Sequence, residues 1–204
     1  MKDLLENFGS TEDLKMSNKI GIIAEDESDV KVIYNILSIY CSENSFKIRK
    51  KVGKGCSRIK SKCYKWATLL TELGCKHILL FHDLDEDDLE KLKCNLEKKV
   101  DIKNNKHVLV VIPVKEIEAW LLSDMLAIKN TFSLMKLPKS ISDTERIDRP
   151  KEFLRDIVNK YSKGKITYLN TIHNEKISLK ISKTSLRKCP SFIPLEKYIN
   201  NNLK

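Results

Sequence analysis

The chain has 204 residues, of which 41% are hydrophobic, and it carries a formal net charge of +10. This length and apolar content suffice for a globular domain with a real core, which excludes a short peptide or a disordered tail. No apolar run approaches the roughly 18 residues that a membrane span requires. The six cysteines form no CxxC pair. The composition therefore predicts a cytoplasmic protein with reduced thiols, without a membrane span or a zinc ribbon.

Four short apolar runs predict buried β-strands, and they alternate with stretches of helical spacing. The predicted strands are residues 20–24, 46–52, 77–83 and 107–114. The predicted helices between and after them are residues 29–42, 58–73, 87–100 and 116–130. Strands that alternate with helices of this length favour a mainly parallel sheet with helices on both faces. The predicted fold class is therefore α/β.

The strand pattern stops after about residue 130. Pro150 stands in the first turn of a predicted helix over residues 150–161, and residues 173–203 predict two more helices separated by the segment CPSFIP. We therefore divide the chain into an N-terminal extension (1–18), an α/β domain (19–130) and a helical C-terminal subdomain (131–204) packed against the sheet.

Acidic side chains follow three of the four predicted strands. The carboxyl ends of parallel strands form the edge where open α/β sheets place their active sites, so we expect these side chains to converge. Carboxylates crowded into a poorly solvated cleft repel one another unless a cation lies between them. The pattern therefore predicts a site for Mg²⁺ or Mn²⁺. The candidate ligands are Glu25, Asp29, Asp83, Asp85, Glu116 and Glu118.

The spacing of these acidic residues adds detail. Asp83 and Asp85 would point to the same side of an extended chain and could share a metal. Asp29 could also cap the helix that begins there. If a helix has already begun at residue 116, Glu116 and Glu118 diverge by about 200°, so only one of them would face the site.

The basic charge is concentrated in segments that flank the acidic residues. Residues 46–79 contain ten basic side chains and one acidic side chain. A basic body with a local acidic pocket is typical of a metal-dependent enzyme that acts on a polyanion such as nucleic acid. Ordinary solvated surface is the alternative for any one cluster. The candidate phosphate-binding residues are Lys54, Lys60, Lys62 and Lys115.

Three other side chains receive a core assignment from their spacing. His82 precedes the acidic motif on its strand, and side-chain alternation places it on the opposite face, in the core. Trp66 and Trp120 stand at helical spacing with other apolar residues, which favours core packing. Base stacking is the alternative for the two tryptophans.

The order of Glu25 with Asp29, followed by Asp83-Leu84-Asp85, resembles the TOPRIM domain. That fold is shared by topoisomerases, primases, small maturation ribonucleases and the overcoming-lysogenization-defect type nucleases. The segments AEDESD, VGKG, LFHDLDEDD, VKEIEAWLLSD and LRKCPSF are also similar to small stand-alone TOPRIM proteins of unassigned function, which are often encoded beside an ABC-type or SMC-like ATPase. The similarity covers most of the chain from about residue 19.

This resemblance implies a divalent-metal nuclease, frequently one half of an anti-phage defence pair with the ATPase as its partner. Glu25 would be the general acid/base, Asp83 and Asp85 the metal pair, and Glu118 or Glu116 a second-site ligand. Asp26 stands where the family's turn normally has glycine. Whether the substrate is DNA or RNA such as tRNA stays open, as does a homodimeric state.

Two other functions stay open. A TOPRIM-derived module without catalytic activity could bind or regulate an ATPase complex. A receiver-like domain could accept a phosphoryl group on Asp83, but it would leave Asp85 and the pair Glu116 and Glu118 without a role.

Overall fold

The computed structural model describes residues 18–42, 45–101, 105 and 107–203. Its centre is a four-stranded, fully parallel sheet with the strand order β2-β1-β3-β4. The strands are β1 (Asn18–Ala24), β2 (Phe46–Val52), β3 (His77–Phe81) and β4 (Val108–Val111). The α/β fold class is confirmed. β3 and β4 end two and three residues before their predicted ends.

Helices cover both faces of this sheet and make up most of the remaining described chain. They are α1 (Glu27–Tyr40), α2 (Cys56–Glu72), α3 (Leu89–Lys99), α4 (Glu118–Leu122), α5 (Met125–Phe132), α6 (Pro150–Tyr161), α7 (Asn170–Ser178), α8 (Lys183–Leu186) and α9 (Ile193–Asn202). Short 3₁₀ turns lie at Thr144–Arg146 and Pro190–Phe192. Up to residue 203, no described segment after β4 forms a strand, which confirms the helical C-terminal region.

The alternation of β1 side chains divides the core into two layers. Ile20 and Ile22 pack in the layer that contains α1 and the C-terminal helices. Ile23 packs on the other face, in the layer that contains α2 and α3. Helix α2 approaches β1 closely at Gly21, where an added Cβ would lie 3.0 Å from Leu70 Cδ1. The sheet is therefore buried on both faces, as a parallel sheet requires.

The C-terminal helices share one continuous core with the sheet. Leu154 of α6, Ile177 of α7 and Ile199 of α9 are fully buried in the same cluster as Ile33 and Ile36 of α1. Helix α7 packs along α1. The helical region therefore supports the face of the sheet that leads to the acidic edge, while the division of the chain at residue 130 stays a prediction.

The single helix predicted over residues 116–130 is wrong. The structure has two helices, and the chain breaks at Ser123 and Asp124. The Asp124 carboxylate caps α5 by accepting a hydrogen bond from Ala127 N at 3.0 Å, and it also accepts from Ser182 N at 3.0 Å. The apolar spacing continues through the break because Leu122 and Met125 are both buried. Hydrophobic periodicity alone therefore did not reveal it.

The predicted C-terminal helices also need correction. Between residues 173 and 203 the structure contains part of α7, the short α8, a 3₁₀ turn at Pro190–Phe192 and α9. The segment CPSFIP does separate helical segments, as predicted, because Pro190 starts the turn and α9 follows it directly.

None of the described helices is long and apolar enough to cross a membrane. All six cysteines lie in the described part of the chain, and none forms a disulfide.

Candidate functional site

The strand order places a crevice between β1 and β3. The chain passes from β1 to β2 on one side and then to β3 on the other side of β1, so the connections after β1 and β3 leave in opposite directions. Open α/β sheets bind ligands at such a switch point, outside the carboxyl ends of the strands. Glu25 follows β1 directly, and Asp83 lies two residues after the end of β3. Two of the predicted site residues therefore lie at this crevice.

The turn after β1 is built by a reciprocal capping box. The Asp26 carboxylate accepts hydrogen bonds from Ser28 N at 2.7 Å and Asp29 N at 3.2 Å, and Asp26 N donates to Asp29 Oδ2 at 3.1 Å. The N-cap of α1 is therefore Asp26, so the cap role considered for Asp29 is wrong, although Asp29 completes the box. Asp26 has φ −136°, an extended conformation that any residue adopts. The turn needs no glycine.

A small cleft lies at the switch point. Its volume of about 10 Å³ leaves room for roughly one water-sized body. His82 is almost fully buried, as predicted, but it lines the cleft together with the acidic residues, so the prediction that it lies on the opposite face is wrong. Its Nδ1 lies 2.6 Å from the Asp83 carbonyl oxygen. Its Nε2 has no hydrogen-bond partner among the described residues. The cleft is lined by Glu25, Asp29, Phe81, His82, Asp83 and Ile117.

Asp85 lies beside this cleft rather than in its lining. The expectation of an extended chain over residues 83–85 is wrong, because Asp85 has φ 48° in the left-handed region. This turn directs the exposed Asp85 carboxylate toward Cys56, with Oδ2 3.3 Å from Sγ. Cys56 Sγ also lies 2.8 Å from Glu25 Oε2. A metal-ligand role for Asp85 stays a prediction.

Cys56 is a site residue that sequence reasoning missed. Burial raises the pKa of its thiol, and hydrogen bonds to the carboxylates of Glu25 and Asp85 raise it further. The thiol therefore stays protonated and donates to carboxylates from two different loops. The cysteine spacing contained no signal for this contact, which joins α2 to the ends of β1 and β3.

Glu118, and not Glu116, is the acidic residue of α4 that belongs electrostatically to the cleft. Glu118 is 2% exposed, and its charge contributes to raising the pKa of both Asp29 and Asp83. Its Oε1 accepts hydrogen bonds from Asn174 Nδ2 at 3.1 Å and from Tyr168 OH at 3.3 Å. Helix α4 begins at Glu118, so Glu116 precedes the helix and the condition for the predicted divergence of about 200° is not met. Which of the two glutamates faces a metal stays a prediction.

Lys151, at the start of α6, brings a positive charge from the helical region to these carboxylates. Its backbone N donates to Glu116 Oε2 at 3.0 Å, and its Nζ lies 3.6 Å from Glu116 Oε1. Burial lowers the pKa of Lys151, but the charges of Glu118, Glu116 and the cleft aspartates outweigh burial and raise it. The ammonium group therefore stays charged. Sequence reasoning missed this residue because it is far from the acidic motifs along the chain.

Asp29, Asp83 and Glu118 have raised pKa values and therefore hold their protons more tightly than usual. Burial, followed by repulsion from Asp26, raises the pKa of Asp29 to about 8. Burial, followed by repulsion from Asp29 and Glu118, raises the pKa of Asp83 well above its ordinary range. Burial also raises the pKa of Glu118, with Lys151 and Asn174 opposing the shift. Burial and mutual repulsion thus favour the protonated forms of these carboxyl groups, and the nearby Lys151 offsets the repulsion only in part.

The donor set of the cleft suits a hard divalent cation in its chemistry. Carboxylate oxygens are the ligands that Mg²⁺ and Mn²⁺ prefer, and Glu25, Asp29 and Asp83 all line the same small volume. Within the described residues, however, no three Asp, Glu, His or Cys side chains are already arranged around a common metal position. Metal binding at this site would therefore require rotation of the carboxylates toward one another.

The four predicted phosphate-binding lysines have different surroundings. Lys60 Nζ pairs with Asp87 at 2.5 Å, and Lys115 Nζ lies 3.3 Å from Glu86. Lys54 and Lys62 are exposed and make no ion pair among the described residues. Lys54 lies beside the turn after β1, since its backbone N donates to the Glu25 carbonyl oxygen at 2.7 Å. Nucleic-acid binding by these lysines stays a prediction.

The fold and this edge define an α/β protein with an acidic cleft at the switch point of a parallel sheet. The family model described as domain of unknown function DUF4276 matches residues 24–200, so the chain belongs to that family. No curated protein matches the chain, and no solved structure matches it. The matched region begins at the end of β1 and reaches into α9, so it includes both the cleft and the helices that support it.

Proposed function

We propose that this chain is a divalent-metal-dependent nuclease of the TOPRIM type that hydrolyses phosphodiester bonds in nucleic acid. The observation that carries the proposal is the convergence of Glu25, Asp29 and Asp83 on one cleft at the switch point between β1 and β3. A structural explanation fits these residues less well, because buried carboxyl groups that repel one another destabilise a fold unless something else is bound there.

In this proposal Asp29 and Asp83 bind Mg²⁺ or Mn²⁺, with Glu25 and Glu118 beside them. The metal, when bound, would activate a water and offset the negative charge of the phosphodiester. Glu25 would accept the proton of the attacking water as general base. Its partial exposure and its place at the mouth of the cleft suit that role.

Lys151 and Cys56 would support these groups. Lys151 would hold Glu116 in place through its backbone N and Nζ and would favour the charged form of Glu118. Its ammonium group would offset part of the charge on the reacting phosphate. Cys56 would orient the Glu25 carboxylate, since its thiol donates to Glu25 Oε2. Both contributions come from outside the acidic motifs.

The biological setting we propose is anti-phage defence with an ABC-type or SMC-like ATPase as partner. An uncontrolled nuclease would damage the nucleic acid of its own cell. We therefore propose that the partner keeps the chain silent until it is triggered. Equal cleavage by the purified chain with and without the ATPase would contradict this regulatory part of the proposal.

The test of the nuclease is cleavage of supercoiled plasmid, single-stranded DNA and total tRNA with Mg²⁺ or Mn²⁺, with and without any ATPase encoded next to the gene. We expect Glu25→Gln and Asp83→Asn each to reduce cleavage of one substrate by about 100-fold or more. Asp156→Asn is the matched control because Asp156 is exposed on α6 without an ion pair among the described residues. Equal activity in all variants would contradict the proposal.

A second candidate is a metal-free binding subunit of the ATPase complex. The absence of three converged metal ligands among the described residues favours it. This candidate predicts no cleavage of any substrate and unchanged ATPase binding by Asp83→Asn. The receiver-like alternative predicts that acetyl phosphate labels Asp83, which the nuclease does not.

A further inference from the structure

Strand β2 presents a row of basic side chains along one face of the sheet edge. β2 is an outer strand, paired only with β1 among the described strands. Phe46 and Lys50 face α1. The rings of Phe46 and Tyr34 pack with their centroids 5.7 Å apart, and Lys50 pairs with Glu27. Side chains alternate along a strand. Lys47, Arg49 and Lys51 therefore lie on the opposite face, the face covered by α2.

Helix α2 adds basic side chains beside that row. The flank of α2 that carries Lys60 faces α3, because Lys60 Nζ pairs with Asp87 and Lys99 Nζ donates to the Lys60 carbonyl oxygen. Arg58 and Lys62 stand two residues before and after Lys60, hence about 160° away from it around the helix. They occupy the other flank, toward β2.

Trp66 extends this flank. It follows Arg58 and Lys62 at intervals of four residues, which places all three in one line along α2. Trp66 is half-buried and packs against the core layer between α2 and the sheet, so part of its ring stays accessible. We call the set Lys47, Arg49, Lys51, Arg58 and Lys62, together with Trp66, the β2–α2 strip.

The cations of the β2–α2 strip have no anionic partners in the described residues. None of the five makes an ion pair or a side-chain hydrogen bond there, in contrast to Lys60, Lys115 and Lys151, which lie against carboxylates. Like charges gathered on one face destabilise a fold slightly unless a polyanion binds them. The strip is therefore a surface with unsatisfied positive charge.

The strip leads to the acidic cleft. In the parallel register of β1 and β2, Val52 lies opposite Ala24, so the last residues of β2 reach the edge where Glu25 begins. The connection continues through Lys54, whose backbone N donates to the Glu25 carbonyl oxygen at 2.7 Å. Lys47, Arg49 and Lys51 are spaced about 6.6 Å apart along the strand. This step is comparable to that between successive phosphates of an extended single strand.

We propose that the β2–α2 strip binds the backbone of a single-stranded polynucleotide, with a base stacked on Trp66, and guides it to the cleft at Glu25. This inference rests on the proposed nuclease function for its purpose, but the binding itself does not require cleavage. A narrow track of cations beside an accessible aromatic ring face is how proteins hold single strands without base-specific contacts. A duplex is wider than the strip, which is only as wide as one edge strand and one helix flank, so a single strand fits it better.

The test is binding of a fluorescent 20-nucleotide single strand, as DNA and as RNA, by fluorescence anisotropy without divalent metal, so that no cleavage occurs. The strip variant combines Lys47→Gln, Arg49→Gln and Lys51→Gln. The matched control, Lys91→Gln with Lys93→Gln and Lys98→Gln on α3, removes the same charge from exposed lysines outside the strip. Circular dichroism should be measured for each variant to check that it is folded.

We expect the strip variant to bind the single strand at least tenfold more weakly than the control variant does. Its salt dependence should also be shallower by about 2 in the slope of log K against log salt, because each lost phosphate contact removes about 0.7 for a single strand. A duplex of the same length should bind more weakly than the single strand. An equal loss in the two variants, tighter duplex binding or equal binding to anionic lipid vesicles would each overturn the proposal.

Trp66 gives a second readout. The chain has two tryptophans, and Trp120 is fully buried, so quenching of intrinsic fluorescence by the oligonucleotide reports on Trp66. We expect quenching that Trp66→Phe removes. Single-strand binding of this kind without any cleavage would support the strip and contradict the nuclease. Cleavage by the unaltered chain, together with equal binding by the strip and control variants, would overturn the proposed role of the strip and leave the proposed nuclease function intact.

Discussion

Burial and acidic neighbours raise the pKa values of Asp29 and Asp83, so the stability of the folded chain should depend on pH. The pKa of Asp29 rises from its ordinary value of 3.8 to about 8 in the folded chain. Between these values the folded state binds more protons than the unfolded state, so stability falls as pH rises. We expect a lower urea midpoint at pH 8 than at pH 5 when a chelator removes divalent metal.

Two variants separate this effect from general pH sensitivity. Asp29→Asn should make the urea midpoint less dependent on pH, since an amide does not titrate and its oxygen can still accept the hydrogen bond of Asp26 N. Asp156→Asn should leave the pH dependence as it is in the unaltered chain. An equal pH dependence of the urea midpoint in Asp29→Asn and the unaltered chain would show that the Asp29 carboxyl is not held protonated in the cleft.

Tyr168 connects the helical region to the cleft by one hydroxyl group. Its OH donates to Glu118 Oε1 at 3.3 Å and also lies against Asn174 Oδ1. We expect Tyr168→Phe to lower the free energy of unfolding by about 1 kcal/mol, the usual net value of such a hydrogen bond. Chemical denaturation measures the change. Tyr64→Phe removes an exposed hydroxyl that makes no hydrogen bond among the described residues, and it should have almost no effect.

At the scale of secondary-structure elements, the Asp124 side chain joins helices α5 and α8. Its carboxylate caps α5 through Ala127 N and accepts two hydrogen bonds from Ser182, the N-cap of α8. We expect Asp124→Ala to lower the free energy of unfolding by about 1 to 3 kcal/mol, because it removes a cap and leaves the buried Ala127 N without its acceptor. Asp156→Ala is the exposed control, and an equal loss in both variants would contradict this role.

The elements show where sequence patterns suffice. The bounds of β2 and α6 agree with the prediction, since alternation and a proline in the first turn both leave clear local signals. The break at Asp124 had a signal too, because Ser-Asp is a common start of a helix. That signal was outweighed by apolar residues whose spacing runs through both helices. Local patterns therefore gave the elements but missed a junction that depends on Ser182, far along the chain.

The candidate site likewise contains residues that sequence patterns predict and residues that they miss. The sequence placed Glu25, Asp29 and Asp83 correctly at one edge, because topology brings the ends of parallel strands together. Lys151 and Cys56 could not be found from spacing, because their contacts to the acidic residues exist only after the helices pack. The left-handed backbone at Asp85 was also missed, since a non-glycine residue with positive φ is uncommon and leaves no periodic pattern.

At the scale of the whole molecule, the sheet and the C-terminal helices depend on one core. Leu154, Ile177 and Ile199 are fully buried in the cluster that also contains β1 and α1. We expect a chain that ends at residue 130 to lose cooperative thermal unfolding, because it would expose the face of α1 and α4 that these helices cover. A truncated chain with a sharp transition would show instead that residues 19–130 fold alone.

Binding of Mn²⁺ to the acidic cleft tests the central claim most directly, because it does not depend on a partner ATPase or on the choice of substrate. Isothermal titration calorimetry at pH 7.5 should compare the unaltered chain, Asp83→Asn and the control Asp156→Asn. We predict saturable binding that Asp83→Asn weakens by at least tenfold and that Asp156→Asn leaves unchanged. No saturable binding at millimolar Mn²⁺, or equal binding by all three chains, would contradict the assignment of the cleft as a metal-dependent catalytic centre.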